Sequence, residues 1–386
     1  MPVINRIADY SDEMRGWRRW LHQHPELEFD LPETSGFVVE RLREFGVDAI
    51  HEGIAKTGIV AIIEGQGAGP TIGLRADMDA LPITEETGLP HASTHTGKMH
   101  ACGHDGHTTM LLGAAKYLAE TRRFSGRVAL IFQPAEEEGG GGEVMVREGI
   151  MERFGISQVY ALHNAPGVPL GQFVTTPGPI MAAVDTARVT VTGKGGHGAN
   201  PHHCTDPIAA GVAMLSSLQT IVARNLNPLD EAVVSVTMFQ SGTASNIIPE
   251  TAFFAATIRS FRPEVRTMLQ ERFEAIVKGH AQAFGVTVAI DYEIGYPATV
   301  NDAEKTAFAA RVAADVAGEA GVRTDAGREM GAEDFSYLLE ARPGAYLFLG
   351  QGPGAGLHHP AYDFNDAISP IGASFFARLV EVAQPL

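Results

Sequence analysis

Cysteine is scarce in this chain, with Cys102 and Cys204 the only two among 386 residues. Two thiols cannot build the disulfide framework of a small secreted domain, and a reducing compartment would leave Cys102 available as a thiolate ligand. Basic charge is also in short supply. Lys and Arg number 29 against 46 Asp and Glu, a formal net charge of -17. Such a surface repels phosphate backbones and anionic bilayers alike, which argues against nucleic acid and membrane as partners. No apolar segment is long enough without charge to span a bilayer, and the N-terminal stretch lacks an apolar core of signal-peptide length. Internal repeats, low-complexity tracts and long charge runs are missing too. A cytoplasmic globular protein is expected.

With 45% hydrophobic and 19% charged residues, the chain can bury a large core and more naturally forms two domains than one. Up to residue 180, short β-branched apolar runs (Gly58 to Ile63, Thr71 to Arg75, Arg127 to Phe132) alternate with amphipathic patterns. Those patterns lie around Glu13 to Gln23, Glu33 to Glu44 and Asp105 to Arg122. This is the signature of an α/β domain, and Met110, Leu111, Ala114 and Leu118 mark the apolar face of the third helix.

The texture changes near Val184. Thr186 to Thr192 alternates as a half-exposed strand does, and Thr205-Asp206-Pro207 reads as a capped helix start that runs on to about Asn225. Strands at Ala232 to Phe239 and Thr251 to Ser260, a helix at Pro263 to Phe284 and a strand at Val286 to Tyr292 complete a small α+β layer. After Gly295-Tyr-Pro297 the α/β pattern returns, with helices at Ala303 to Ala317, Glu333 to Ala341 and Ile368 to Val382 and a strand at Ala345 to Leu349. The expected fold is a catalytic α/β domain with a central mixed sheet flanked by helices, residues 1–183 and 296–386. It is interrupted by an inserted α+β domain of four strands and two helices, residues 184–295.

Met99-His-Ala-Cys-Gly-His-Asp-Gly-His107 packs one cysteine, three histidines and an aspartate into nine residues. Thiolate and imidazole suit borderline metals such as zinc, manganese, cobalt or nickel, and Gly103 and Gly106 free the backbone to turn Cys102 and His104 toward one ion. Read alone, the cluster fits a buried cysteine beside structural histidines equally well. A second segment, Phe132-Gln-Pro-Ala-Glu-Glu-Glu138-Gly-Gly-Gly-Gly142, places three carboxylates after a buried strand, where α/β proteins place their sites. One could hold a metal while its neighbour takes a proton from water, or all three could form a solvated acidic turn. The glycines do not make a phosphate loop, since no Gly-Lys-Ser/Thr follows. His163 closes the apolar run Val159-Tyr-Ala-Leu-His-Asn164, and His358 lies in the glycine-rich Leu357-His-His-Pro360. Together, Cys102, His104, a glutamate, His163 and His358 form a coherent ligand set at loop positions after strands.

Eight segments then resemble, in order, one family. They are His22-Gln-His-Pro-Glu-Leu-Glu28, Leu74-Arg-Ala-Asp-Met-Asp-Ala-Leu-Pro82, Met99 to His107, Phe132-Gln-Pro-Ala-Glu-Glu137, Leu162-His-Asn164, Gly193-Lys-Gly-Gly-His-Gly198, Asn246-Ile-Ile-Pro249 and Met330-Gly-Ala-Glu-Asp-Phe335. Over nearly the whole chain they resemble the metal-dependent amidohydrolases that include hippurate hydrolase, N-acyl-amino-acid amidohydrolases and auxin-conjugate hydrolases, a branch of the aminoacylase and carboxypeptidase G superfamily. The resemblance implies hydrolysis of the amide bond of N-acyl amino acids at one or two divalent ions (Zn, Mn, Co or Ni). It also implies a homodimer formed through the inserted lid domain.

Carried over by motif, the metal ligands are Cys102, His104, Glu137, His163 and His358, and Glu136 is the general base acting on metal-activated water. His197 in the lid would polarise the scissile carbonyl, in relatives often that of the partner subunit. Asn246 and Arg259 would hold the polar end of the substrate, Arg259 gripping an α-carboxylate in bidentate fashion unless it pairs with a surface acid. The wider superfamily has His-x-Asp where this chain has Asp77-Met-Asp79, so these two carboxylates are expected to orient a histidine or the base. His100, Asp105 and His107 fall to supporting roles, His202, His203 and His359 to bystanders, and Cys204 to an inert small side chain. Ala165 stands where many relatives carry a bulky aromatic, which reshapes the acyl pocket. Alternatives are hydrolysis of short peptides by the same site, a metal-free cysteine hydrolase using Cys102, and a metal that only staples the fold.

Overall fold

The computed structural model describes residues 3–386. By its internal contacts the chain divides into two units. One runs to Ile180 and resumes over Thr299–Gly327 and Glu333–Leu386; the other comprises Met181–Ala298 with Arg328–Ala332.

The first unit is built on an eight-stranded mixed sheet. From one edge the order is Ala49–Ile54, Gly58–Glu64, Arg127–Gln133, Thr71–Asp77, Ile156–Pro166, Gly344–Gly352, Phe173–Val174 and Val322–Arg323. The four central strands, Arg127–Gln133 to Gly344–Gly352, run parallel, so their C-terminal ends share one edge. Thr71–Asp77 is buried along its whole length, as expected for an apolar strand covered on both faces. The helix His104–Thr121 touches the sheet on one side and the helices Ser11–Gln23 and Ser369–Ala383 on the other. It is therefore buried on most sides, Leu112, Ala115 and Ala119 included, and not only along the face of Met110, Leu111, Ala114 and Leu118, with Lys116 and Glu120 reaching the surface near its C-terminal end.

Glu26 explains part of the His22 to Glu28 motif. The helix Pro32–Phe45 has no side-chain cap of its own. The Glu26 carboxylate takes that place, accepting from the backbone N–H of Glu33 at 3.2 Å and of Thr34 at 2.8 Å.

Among the expected boundaries that shift are three next to the site or in the inserted segment. The strand bearing His163 continues to Pro166 because Gly344–Gly352 pairs with it past that histidine, Phe348 lying opposite His163. The helix expected from Glu333 starts at Phe335, since the Glu333 carboxylate accepts the Phe335 N–H at 2.9 Å and lies outside the helix. The helix expected to reach Asn225 stops at Leu218, and a short π-helical turn follows at Ile221–Asn225.

The second unit carries a four-stranded antiparallel sheet in the order Ala232–Ser241, Thr251–Ser260, Ala183–Thr192, Thr287–Ile294. The helices Pro207–Leu218 and Pro263–Phe284 pack against it over Val189, Val191, Met214, Phe254, Leu269 and Phe273. Asp206 caps the first helix, accepting from the N–H groups of Ile208 and Ala209. Four strands and two helices were expected of this segment, and the mixed sheet with flanking helices was expected of the rest. Among the described residues, no helix is long and apolar enough to cross a membrane.

Candidate metal centre

Four chain segments bring donors together in the first unit, at the edge where the parallel strands end. Cys102 precedes Gly103, whose φ of 99° starts the helix His104–Thr121. A Cβ on Gly103 would lie 2.3 Å from Asn164 Oδ1, so only glycine lets these segments approach. His104 therefore opens a helix and His163 lies within a strand, which corrects the expectation that all the ligand candidates sit in loops after strands. Glu136 and Glu137 occupy the turn after Arg127–Gln133. His358 adopts a left-handed backbone, φ 62°, with its N–H donating to the Ala101 carbonyl at 2.8 Å.

The donor atoms converge. Cys102 Sγ lies 3.4 Å from His163 Nε2, His104 Nε2 lies 3.8 Å from Glu137 Oε1 and 3.9 Å from Glu136 Oε2, and His358 Nε2 lies 3.4 Å from Glu137 Oε1. Three overlapping groups of metal-binding geometry result: Cys102, His104 and His163; Cys102, Glu137 and His358; and His104, Glu136 and Glu137.

The ring tautomers fit a metal. His104 Nδ1 faces Asp79 Oδ1 at 3.3 Å, and His163 Nδ1 donates to the Asn164 carbonyl at 2.7 Å, which leaves each Nε2 facing inward. Among the described residues His104 Nε2 is buried without a hydrogen-bond partner, and Glu137 Oε1 is buried with only the His358 imidazole 3.4 Å away to offset its charge, a costly state that a divalent cation held by these groups would relieve. The donor set of thiol, imidazole and carboxylate is the chemistry borderline metals accept.

Electrostatics point the same way. Burial disfavours charge on His104, but Asp77 and Asp79 more than offset it and hold the imidazole up to about 10. Burial, then Glu333 and Glu137, raise the Glu136 carboxyl well above its usual range. For Glu137 burial works upward, yet the bond to His358 and the charge of His104 prevail and lower it. Burial, with Glu137 and Glu136 beside it, pushes the Cys102 thiol well up. The pocket holds surplus negative charge, which a proton on His104 or a metal cation can balance.

Asp77 and Asp79 sit behind these groups. Asp79 contacts His104 through Oδ1 and accepts the Glu137 N–H at 3.0 Å through Oδ2. Asp77 Oδ1 takes the His107 Nδ1–H at 2.6 Å, and His107 Nε2 lies 2.7 Å from Asn164 Oδ1. The Asn164 amide donates in turn to Gln351 and Tyr362. A buried polar chain thus ties the segments carrying His104, His163 and His358. On another side, Asp105 accepts from His22 Nδ1 at 2.7 Å, while His100 is buried with neither ring nitrogen bonded.

Arg75, Glu333 and Asp334 were given no role from sequence, although the signal was present. An arginine inside the apolar run Thr71 to Asp77 has to be paired in the core. It is 1% exposed and donates to Asp77 at 2.6 Å and to Gln133, Glu333 and Asp334 at 2.9 Å each.

The remaining candidates belong to the second unit. His197 is exposed, on the short strand Gly196–His197, and accepts the Ala199 N–H at Nδ1. Asn246 is close by, its carbonyl accepting the Gly198 N–H at 2.8 Å. Arg259 is half-buried, donates to Thr257 Oγ1 at 3.1 Å, and has no ion-pair partner among the described residues, so the surface-acid pairing is not seen. His202 and His203 are exposed, and Cys204 Sγ faces the Asn200 carbonyl.

A mixed α/β sheet ending in a buried, convergent set of thiol, imidazole and carboxylate donors defines a metal-dependent hydrolase. Residues 73–382 match the model of peptidase family M20/M25/M40. The chain is 40% identical over 379 residues to the hippurate hydrolase of Campylobacter jejuni, covering 98% of both. It is 42% identical over 382 residues to an N-acetyl-L-cysteine deacetylase of Bacillus subtilis, covering 98% of this chain and 89% of that one. The crystal structure of the Bacillus subtilis YXEP protein, described as a dinuclear metal binding peptidase of family M20, superposes with a TM-score of 0.85 at 34% identity, covering 98% and 99%. The chain belongs to peptidase family M20/M25/M40, as a metal-dependent amidohydrolase.

Proposed function

We propose that this enzyme hydrolyses the amide bond of small N-acyl amino acids, releasing a carboxylic acid and a free amino acid. Cys102, His104, Glu137, His163 and His358 would hold one or two divalent ions, from among Zn, Mn, Co and Ni. When bound, such ions polarise a carbonyl and lower the pKa of water toward neutrality. The buried, convergent pair of His104 Nε2, which has no hydrogen-bond partner among the described residues, and Glu137 Oε1, which faces both it and His358 Nε2, carries this reading.

Glu136 acts as general base. Its carboxyl neighbours the ligand Glu137, and its raised proton affinity suits it to take a proton from water and return it to the departing amine. Asp77 and Asp79 orient His107, His104 and the Glu137 backbone. His197 supplies a donor where negative charge develops on the carbonyl oxygen, in cis or across a homodimer formed through the lid. Asn246 and Arg259 grip the carboxylate end of the substrate, and an arginine with no acid partner suits that task.

The reading of Cys102 as a metal-free nucleophile is disfavoured. A nucleophilic cysteine needs electropositive surroundings, whereas this thiol is buried beside Glu136 and Glu137. The deciding assay measures hydrolysis across a panel of N-acyl amino acids and short peptides before and after chelation. Activity on N-acyl amino acids that is lost with chelator and restored by manganese or zinc is expected; activity insensitive to chelator overturns the reading. Faster turnover of dipeptides would move the substrate class to short peptides at the same site.

A further inference from the structure

The turn that presents Glu136 and Glu137 is fastened at both ends to one carboxylate. Before the turn, Gln133 Nε2 donates to both oxygens of Asp334 at 2.8 Å. After it, the Gly142 N–H donates to Asp334 Oδ2 at 2.7 Å. Asp334 is fully buried, and Arg75 Nη2 holds its Oδ1 at 2.9 Å while Arg75 Nε donates to Gln133 Oε1 at 2.9 Å. An ionised carboxylate is an acceptor only, so every one of these donors is matched.

The segment between the two fastenings has one closing bond of its own, from the Gly141 N–H to the Ala135 carbonyl at 2.9 Å, and one residue in an unfavourable conformation. Ala135, just before Glu136, has φ 55°, a costly conformation for a residue with a Cβ, whereas Gly139 and Gly140 adopt left-handed φ freely. A Cβ on Gly141 would lie 1.7 Å from the Pro134 carbonyl oxygen. Backbone of this kind persists only where the surroundings over-determine it. Carboxylate oxygens of Glu136, Glu333 and Asp334 lie within 4.8 Å of one another, so the clasp adjoins the base itself. This acidic trio is not a further cation site, because the Arg75 guanidinium already bonds Glu333 and Asp334.

We propose that Asp334, seated by Arg75, is a positioning residue for Glu136: it closes the turn that carries the base and so sets the turnover rate. The inference rests on the reading of Glu136 as base. A misplacement of about 1 Å at a reacting group can cost about 100-fold in rate, so a loosened clasp is felt in kcat before substrate binding.

Two variants test it. Asp334→Asn keeps the shape but turns an amide NH2 toward one of the donors that the carboxylate now satisfies. Gly142→Ala leaves every charge in place and puts a Cβ 2.8 Å from the Asp334 carbonyl oxygen and 3.1 Å from its Oδ2, at a helical position where alanine is otherwise favoured. In both, kcat on an N-acyl amino acid is expected to fall about 10- to 100-fold. KM should stay within about twofold and metal content per chain should be retained, by the logic of uniform against transition-state binding, and kcat is taken per folded, metal-loaded chain because the unmatched buried donor in Asp334→Asn lowers the unfolding midpoint in either case. A purely structural role would lower the midpoint or the metal content and leave kcat per folded, metal-loaded chain unchanged, and that result overturns the proposal. Should Asp334→Asn not fold, Gly142→Ala decides alone. Glu136→Gln is run alongside: an inactive Glu136→Gln with parental Gly142→Ala sinks only the clasp, whereas a parental rate in Glu136→Gln removes the base reading and the clasp with it.

Discussion

His104 Nε2 and Glu137 Oε1 face each other at 3.8 Å, both buried, the nitrogen without a hydrogen-bond partner among the described residues and the oxygen with only the His358 imidazole at 3.4 Å. Each such group costs on the order of 1–3 kcal/mol unless something satisfies it. Stripping divalent metal should therefore abolish hydrolysis and lower the unfolding midpoint together. Re-adding metal at about 100 times its Kd should return about 2.7 kcal/mol of stability. Thermal melts with chelator and with graded manganese or zinc check this, and a midpoint indifferent to both would count against a metal held by these groups.

Glu136→Gln should keep the metal and lose turnover by roughly 100- to 10,000-fold, the usual contribution of a general base. Elemental analysis beside steady-state kinetics separates the two effects. Hydrolysis at the parental rate would show that another group moves the proton.

Arg259→Met should raise KM about 10-fold or more for N-acyl amino acids with a free α-carboxylate, because a charge-assisted bidentate contact is lost. It should leave the corresponding amino-acid amides nearly unaffected. The ratio of kcat/KM on acid and amide substrates reads this directly, and equal losses on both would assign Arg259 a structural part.

Mixing His197→Ala with Glu136→Gln tests where His197 acts. If it serves the partner subunit, a mixed dimer holds one site with both groups intact, and activity should return on subunit exchange. No recovery despite demonstrated exchange would place His197 in cis or outside the reaction.

His22 predicts an alkaline loss of stability. Burial pushes its imidazole down, but the bond from Nδ1 to Asp105 and the Glu85 carboxylate 3.3 Å from Nε2 prevail and hold it up to about 9. A raised pKa means the folded state binds the proton more tightly, so the contribution is complete below about 6.5 and fades as pH rises through 9. Its size is on the order of 3 kcal/mol from that shift. Denaturant unfolding from pH 6 to 10 should show the decline, and His22→Gln should flatten it.

The sheet strands and long helices were legible because burial leaves periodic marks. Gly58–Glu64 and Thr71–Asp77 read as apolar runs, and Pro263–Phe284 as a helix with proline at its start and glycine after it. Edge pieces such as Ala49–Ile54, Phe173–Val174 and Val322–Arg323 were not read. They are short or partly exposed, and sheet partners far away in sequence define them. Glu26 capping a helix seven residues on, and His163 lying inside its strand, likewise depend on partners that local pattern does not name.

By itself the sequence determined which donor types the chain owns and in what order: a lone cysteine among histidines, paired glutamates after a strand, and two histidines farther on. It also determined the layered α/β architecture, because hydrophobic periodicity is a local property of the chain. Only the tertiary structure decided which nitrogen of His104 and His163 turns inward, and that one carboxylate, Asp334, fastens the turn of Glu136 from 201 residues beyond Gln133. Hydrogen-bond geometry and burial are set by atoms that meet in space, and no spacing along the chain encodes them.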